Sequence, residues 1–186
     1  MIIGLTGTHC GGKDTAANYL VKKNFIHHSL SDIIREEARK KGIKLTRENL
    51  IKLGNELRKE FGASVLAKKI LTKLDKDKNC VISSIRNPSE VEALRKNSNF
   101  ILINIDAPIG VRLERMKRKT TEKNPKTLEE LKRIEDIENS SNPMHQQIKK
   151  CQKLADIKII NNSTLQNLYK EIDQLFLNSG NQIPNS

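Results

Sequence analysis

Residues 7–15 carry the strongest chemical signal in the chain. They contain the spacing G-x-x-x-x-G-K between a short apolar run and a helical pattern. This strand–loop–helix context is that of a phosphate-binding P-loop. Glycines allow successive backbone N–H groups to point at one anion, and the following helix adds the positive end of its dipole. The residues predicted to bind nucleotide phosphates are Gly7, Thr8, His9, Cys10, Gly11, Gly12, Lys13, Asp14 and Thr15. Lys13 would supply a mobile charge for the β- and γ-phosphates.

The position after Lys13 departs from the general motif. A Ser or Thr hydroxyl commonly stands there and ligates Mg²⁺, whereas this chain has Asp14, with Thr15 next. A carboxylate is a hard oxygen ligand that suits Mg²⁺ directly or through water. It is also favourable in the first turn of a helix. Asp14 is therefore either a metal ligand or a helix-terminal charge, and Asp14 and Thr15 are the predicted metal residues.

Five short apolar runs alternate with helical patterns along the chain. The runs are residues 1–6, 25–29, 80–83, 100–106 and 157–161. Strands flanked by helices favour a parallel sheet with helices on both faces. We expect an α/β protein with a three-layer α/β/α P-loop fold and a five-stranded parallel sheet; the resemblance given below also implies a small helical lid. One domain would span residues 1–177, followed by a disordered tail at 178–186.

Polar and cationic residues follow the predicted strands, where ligands bind in such folds. In chain order they are the P-loop, then Ser31, Asp32 and Arg35, then Ser83, Ser84 and Arg86, then a basic helix, and finally Asn161. The basic helix carries Arg112, Arg115 and Arg118 at every third position, so they share roughly one helix face. That face either binds phosphate or is simply solvated.

These motifs together resemble the nucleoside monophosphate kinase group of P-loop kinases. The stretches that carry the resemblance are residues 29–38, 46–50, 54–58, 84–91 and 155–161. They are similar to dephospho-coenzyme A kinase-like and archaeal adenylate-kinase-related proteins, and to the kinase-like module fused to deoxycytidylate deaminases. The Gly-Lys-Asp-Thr sequence of the P-loop resembles phage-type deoxynucleoside monophosphate kinases. The resemblance spans residues 1–177, with acceptor-binding helices at about 31–72 and a lid at about 112–140.

The resemblance implies roles for residues on the acceptor side. Asp32 matches a carboxylate that accepts a hydroxyl proton in dephospho-coenzyme A kinases, although helix capping would also explain it. Arg35 matches the arginine that holds the acceptor phosphate in adenylate kinases. Arg86 lies like a second acceptor arginine, and Arg58 is a weaker third candidate. Such arginines make bidentate contacts with phosphate.

The resemblance also implies roles at the donor side. Arg112, Arg115 and Arg118 would belong to a lid that stabilises the transferring phosphoryl group, and with Lys13 and Asp32 they form the predicted catalytic set. Asn161 would lie beside the adenine of ATP. The third strand of these kinases commonly ends in an aspartate that holds Mg²⁺ through water, whereas this strand ends in Ser83.

The implied activity is transfer of the γ-phosphoryl group of ATP, with Mg²⁺, to a nucleotide-type acceptor. That acceptor is either dephospho-coenzyme A or a (deoxy)nucleoside monophosphate. Ser83 and the charge of the chain favour an alternative: an ATP-binding switch with little turnover, associated with RNA or protein.

The amino-acid composition of the chain limits the classes of molecule that it is expected to bind. The 186 residues carry a formal net charge of +12, which suits anionic partners. A phosphate-handling enzyme needs such charge itself, so nucleic acid is not the favoured partner. Three dispersed cysteines predict free thiols, and no run is long enough to span a membrane. We expect a cytoplasmic monomer or homodimer.

Overall fold

The computed structural model describes residues 1–97, 99–118 and 125–178. Their five strands form one parallel sheet in the order β2-β3-β1-β4-β5. The strands are β1 Ile2–Thr6, β2 Ile26–Ser29, β3 Cys80–Ser83, β4 Phe100–Asp106 and β5 Ile157–Ile160. The predicted α/β fold with a five-stranded parallel sheet is confirmed.

Nine helices are described between and after the strands. They are α1 Lys13–Lys22, α2 Leu30–Lys40, α3 Arg47–Phe61, α4 Val65–Leu71, α5 Pro88–Arg95, α6 Ile109–Arg118, α7 Leu128–Ile137, α8 Ile148–Lys153 and α9 Leu165–Asn178. The predicted helix over residues 144–154 starts only at Ile148, because the preceding residues form turns and an antiparallel bridge between Asn139 and Gln147. Helix α9 includes Asn178, which we expected in the tail. The rest of the predicted tail and part of the predicted lid lie outside the described residues.

Successive side chains of the strands point to opposite faces of the sheet, and both faces are buried by helices. Ile82 and Leu102 belong to the apolar cluster formed with α2, α3, α4 and α5. Their chain neighbours Val81 and Ile103 belong to the cluster formed with α1 and α9. This period-2 pattern places helices on both faces, as the three-layer fold requires. No helix in the described part of the chain is long and apolar enough to cross a membrane.

Helices α6 and α7, which lie in the region predicted as a lid, have a small apolar cluster of their own. Leu113 and Met116 of α6 pack with Leu131 of α7. Helix α7 starts with a capping box, in which Thr127 and Glu130 satisfy each other's backbone N–H groups. These contacts make α6 and α7 a packed pair beside the main sheet.

A buried ion pair joins α3 to α5. Arg58 and Glu90 are 1% and 0% exposed, and Arg58 donates two hydrogen bonds to Oε1 of Glu90 at 2.8 and 3.1 Å. The other oxygen, Oε2, accepts the backbone N–H groups of Arg86 and Asn87. Since an unpaired buried charge is costly, each partner depends on the other.

Replacing Arg58 with Met should therefore lower the free energy of unfolding by about 3–5 kcal/mol, because Glu90 would stay buried without its cation. Urea unfolding, compared by midpoint at constant slope, measures the loss. The matched control is Lys73→Met, since Lys73 pairs with Glu36 at the surface and should contribute about 1 kcal/mol or less. Equal losses in the two variants would contradict the assignment.

Candidate functional site

The P-loop backbone lies directly against the end of β4. Gly7 has φ +131° and Gly12 has φ +116°, conformations that residues with a Cβ rarely adopt. A Cβ on Gly7 would lie 2.1 Å from the backbone oxygen of Ile105, and one on Gly12 would lie 2.1 Å from Nδ2 of Asn161. Gly7 is therefore required by space as well as by backbone angle, and Gly12 is favoured by its backbone angle.

Lys13 begins α1 and its ammonium group turns back over the loop. Its Nζ donates to the backbone oxygens of Gly7 at 2.8 Å and Thr8 at 2.6 Å. Burial of the ammonium group, followed by repulsion from Arg86, lowers the pKa of Lys13 from 10.5 to about 8. An anion bound in the loop would favour the charged form and raise that pKa again.

A cavity of about 890 Å³ opens beside Lys13. This volume lies near the upper end of the roughly 300–1,000 Å³ typical of small-molecule sites. The P-loop residues His9, Cys10, Gly12, Lys13, Asp14 and Thr15 line one end, together with Arg115, Arg118, Asn161 and Leu165. We call this the donor end. The side chains of α2, α3 and the loop after β3 line the other end, which we call the acceptor end.

The first-turn oxygens of α1 fit a magnesium ion. Asp14 and Thr15 both line the cavity next to Lys13, and Asp32 lines it from the acceptor end. Mg²⁺ is usually held by one or two carboxylates together with substrate phosphates and water. In the described part of the chain, no group of three or more His, Cys, Asp or Glu side chains could hold a metal alone. Any Mg²⁺ at Asp14 and Thr15 would therefore also need oxygens of the phosphates or of water, and the metal role of these two residues stays a prediction.

The acceptor end holds a group of hydroxyls from neighbouring strand ends. The hydroxyl oxygens of Ser29 and Ser31 are 2.8 Å apart, and that of Ser84 is 3.0 Å from Ser29. Arg35 donates from Nη1 to Ser31 at 2.7 Å and to Asp32 at 2.8 Å. Asp32 and Arg35 thus pair with each other on the cavity wall, and their predicted roles toward an acceptor stay predictions.

Arg86 also lies at the acceptor end, but in a contact that the sequence did not indicate. Its Nη1 donates to Oε1 of Glu138 at 2.6 Å and to Gln146 at 3.0 Å. Arg47 donates to the same Glu138 oxygen at 2.6 Å. Arg47, Glu138 and Gln146 were missed, because nothing local in the sequence relates them to Arg86.

Arg58 reaches the cavity wall, but its guanidinium group is the buried partner of Glu90 described above. It stabilises the wall, and its placement favours a structural role over the predicted acceptor contact.

The three arginines of α6 do not all face the cavity. Arg112 is buried, donates from Nε to the backbone oxygen of Ala107 at 2.8 Å, and pairs with Glu135 of α7. It does not line the cavity, so the predicted phosphate contact is not available to it in this arrangement. Arg115 and Arg118 do line the cavity at the donor end.

Arg115 and Asn161 tie the P-loop to its surroundings. Arg115 donates to the backbone oxygens of Cys10 at 3.3 Å and Asn161 at 2.9 Å. The side chain of Asn161 donates from Nδ2 to the backbone oxygen of Gly11 at 2.9 Å. Asn161 therefore reaches the loop with its side chain, which a role beside the adenine alone would not require.

Two histidines line the cavity, and the structure shows which groups surround each of them. Burial of the imidazole, then the charge of Arg47, lowers the pKa of His9 from 6.5 to about 4, so His9 is neutral at pH 7. His27 shares a hydrogen bond of 2.8 Å between its Nε2 and the hydroxyl of Ser83. Ser83 thus ends β3 with a histidine as its hydrogen-bond partner.

The fold and the site define a P-loop protein with the α/β/α architecture of P-loop kinases. Residues 3–141 match the AAA domain family. Among solved structures, TT1252 from Thermus thermophilus is similar with TM-score 0.63 and 18% identity, covering 96% of this chain and 97% of that one. Shikimate kinase from Acinetobacter baumannii, in complex with shikimate, is similar with TM-score 0.57 and 18% identity, over 96% and 93% of the two chains. At these identities the likeness shows the fold alone.

The chain belongs to the UPF0200 family. It is 34% identical over 180 residues to the UPF0200 protein of Pyrococcus abyssi, covering 93% of this chain and 94% of that protein. It is 31% identical over 182 residues to a UPF0200/UPF0201 protein of Archaeoglobus fulgidus, of which it spans 55%. The likeness to the module fused to deoxycytidylate deaminases stays a prediction.

The lowered pKa of Lys13 gives a test of phosphate contact. At pH 8.5 a side chain with a pKa of about 8 is mostly neutral, and bound phosphate would restore its charge. Binding of ATP with Mg²⁺ should then take up roughly half a proton or more per protein. Calorimetry in buffers of different ionisation enthalpy measures this uptake. At pH 7, where Lys13 is already charged, the uptake should nearly vanish; equal values at both pH values would contradict the contact.

The close approach of the P-loop to β4 gives a steric test. Gly7→Ala should weaken ATP binding at least tenfold, since the Cβ must displace backbone atoms and adds strain of roughly 1–3 kcal/mol. Fluorescence titration with a labelled ATP analogue measures the affinity. Gly110→Ala in α6 is the control, because a Cβ there meets nothing within 4 Å. Unchanged binding in Gly7→Ala would show that the loop is not the nucleotide site.

Proposed function

We propose that this protein is an ATP-dependent kinase that transfers the γ-phosphoryl group to a small nucleotide-type acceptor. The acceptor classes are a (deoxy)nucleoside monophosphate and dephospho-coenzyme A. The observation that carries the proposal is the composition of the cavity. Lys13 of the P-loop, Arg115 and Arg118 of α6, Arg35 of α2 and Arg86 after β3 all line it. Phosphoryl transfer depends mainly on positioning and on neutralising charge, which such a set supplies.

The residues divide between the two ends. ATP would bind with its phosphates in the P-loop and with Lys13 at the β- and γ-phosphates, and Arg115 and Arg118 would approach the transferring group. An acceptor oxygen would bond to the γ-phosphorus while the bond from that phosphorus to the ADP oxygen breaks. Mg²⁺, held by Asp14 and Thr15 with the phosphates, would neutralise charge on them.

Asp32 distinguishes two acceptor chemistries. A hydroxyl acceptor loses a proton, and Asp32 could accept it from its place on the cavity wall. An acceptor phosphate oxygen carries no proton at neutral pH and needs no base. In that case Asp32 would serve to orient Arg35, to which it is hydrogen-bonded.

A second candidate function is an ATP-binding switch with little turnover. The observation that favours it is the hydrogen bond between Ser83 and His27 at the end of β3. A hydroxyl there cannot replace the charge of a carboxylate that would hold magnesium-bound water.

The kinase proposal predicts release of ADP from ATP with Mg²⁺ when the correct acceptor is present. The panel is every nucleoside and deoxynucleoside monophosphate, and dephospho-coenzyme A, read by a coupled ADP assay. Lys13→Met should abolish the stimulated rate, because it removes the charge at the β- and γ-phosphates. Lys22→Met, an exposed lysine on the same helix, should leave that rate unchanged.

Asp32→Asn then identifies the chemistry. With a hydroxyl acceptor, loss of a general base should lower kcat about 100-fold or more. With a phosphate acceptor, the rate should change only a few-fold. A flat panel, with ATP binding confirmed separately, would contradict the kinase and favour the switch.

A further inference from the structure

Glu138 joins two arginines that approach the cavity from different elements. It directly follows α7 and is 2% exposed, Arg47 begins α3, and Arg86 follows β3. Both arginines donate to the same oxygen, Oε1, at 2.6 Å. The three residues are remote in sequence, and Arg47 and Glu138 have no role in the predicted catalytic or acceptor sets.

The charge of this group does not cancel. Two guanidinium groups face one carboxylate, so the group carries a net charge of about +1. Burial alone would raise the pKa of Glu138, but Arg86 and Arg47 outweigh it and hold that pKa below the usual range. Glu138 is therefore ionised at neutral pH, and one positive charge stays uncompensated beside the cavity.

Both guanidinium groups keep hydrogen-bond donors for a ligand. Within residues 1–97, 99–118 and 125–178, the structure pairs only Nη2 of Arg47 and only Nη1 of Arg86. Each side chain lines the cavity, whereas Glu138 does not. A guanidinium group held at one nitrogen presents its other N–H groups in a fixed fork, which matches two oxygens of a phosphate.

The pair also lies next to the phosphate-transfer position. Arg86 is the largest charge effect on Lys13, and Arg47 is the largest charge effect on His9 of the P-loop. A ligand bound by Arg47 and Arg86 would therefore lie close to the P-loop, where the proposed kinase would hold the terminal phosphate of ATP.

We propose that Arg47 and Arg86 form one subsite for the phosphate monoester of the acceptor, with buried Glu138 as the positioning residue that aims both guanidinium groups. This inference rests on the proposed kinase function and selects the phosphate acceptor, a nucleoside monophosphate, over the hydroxyl acceptor. In the reaction an oxygen of the bound monophosphate bonds to the γ-phosphorus of ATP. The bond from that phosphorus to ADP breaks, and no proton has to be removed from the acceptor.

The test measures acceptor binding without turnover. The P-loop is first filled with a non-hydrolysable ATP analogue and Mg²⁺. Each nucleoside and deoxynucleoside monophosphate is then titrated beside its own nucleoside, which lacks only the phosphate. At least one monophosphate should bind about tenfold or more tightly than its nucleoside, as expected for charge-assisted hydrogen bonds.

Variants of Arg47 then test whether the phosphate of the acceptor binds at this residue. Arg47→Gln should weaken monophosphate binding about 10- to 100-fold and leave nucleoside binding unchanged. Arg47→Lys should restore part of the loss through charge alone. The matched control is Lys52→Gln, an exposed lysine on the same helix, which should bind as the parent does.

Glu138→Gln tests the positioning role. It should weaken monophosphate binding several-fold without changing affinity for the ATP analogue, and in turnover it should raise KM for the acceptor more than it lowers kcat. Asp136→Asn, an exposed neighbour at the end of α7, is the control. Thermal melts of each variant show whether the fold is kept; a purely structural group would lower the melting temperature and leave the phosphate preference intact.

The outcomes separate this inference from the kinase proposal. Phosphate-dependent binding that needs Arg47 would support the subsite even if no acceptor were turned over. Turnover of a hydroxyl acceptor, with monophosphates binding no better than nucleosides, would overturn the subsite and leave the kinase standing. A panel in which no monophosphate binds, or in which Arg47→Gln binds as tightly as the parent, would also overturn it.

Discussion

The donor end of the site depends on the close packing of the P-loop backbone against β4. Ideal Cβ atoms on Gly7 and Gly11 would lie 2.1 and 2.6 Å from the backbone oxygen of Ile105. Only glycine allows this approach, and the approach sets where Lys13 begins α1. It also brings Thr8 to the carboxylate of Asp106, with which its hydroxyl forms a hydrogen bond. The predicted phosphate site is thus positioned by the central strand β4, whose Leu102, Ile103 and Ile105 are buried.

The acceptor end depends on two buried carboxylates that hold Arg86 at two places. Glu90 accepts its backbone N–H at 2.9 Å, and Glu138 accepts its side chain at 2.6 Å. Arg58 balances the first carboxylate, and Arg47 shares the second. Buried ion pairs are weak evidence for stability, because desolvation offsets much of their attraction. Their clearer effect here is geometric, because an arginine held at both its backbone N–H and its guanidinium group can adopt few other conformations.

The sequence was sufficient for the fold because its signals are local. Four of the five strands are largely apolar runs bounded by polar residues, whereas β2 has the sequence IHHS. The P-loop motif lies between a strand and a helix. The arginines of α6 show where local spacing stops being informative. A helix turns about 100° per residue, so side chains three residues apart differ in direction by about 60° and side chains six residues apart differ by about 120°. Arg112 and Arg118 therefore differ in direction enough for one to face α7 and the other the cavity.

The contacts of Glu138 could not be predicted from such spacing. Its bond to Arg47 spans 91 residues and its bond to Arg86 spans 52. A lone glutamate at the end of a polar helix has the same local pattern as any solvated glutamate. Only the folded chain, which returns the residues after α7 to the end of β3, makes it a buried partner. The backbone N–H of Gln147 donates to the backbone oxygen of Arg86 at 2.7 Å, and this bond secures the return.

Helices α6 and α7 connect the two ends of the cavity through these contacts. Arg112 and Glu135 join α6 to α7, and the apolar cluster between the helices packs them as a pair. Helix α6 carries Arg115 to the P-loop, and the end of α7 places Glu138 between the arginines of the acceptor end. A shift of this pair relative to the sheet would therefore move cationic groups at both ends together. In the proposed reaction, contacts of this packed pair would help to position both the donor and the acceptor phosphate, and phosphoryl transfer depends on such positioning.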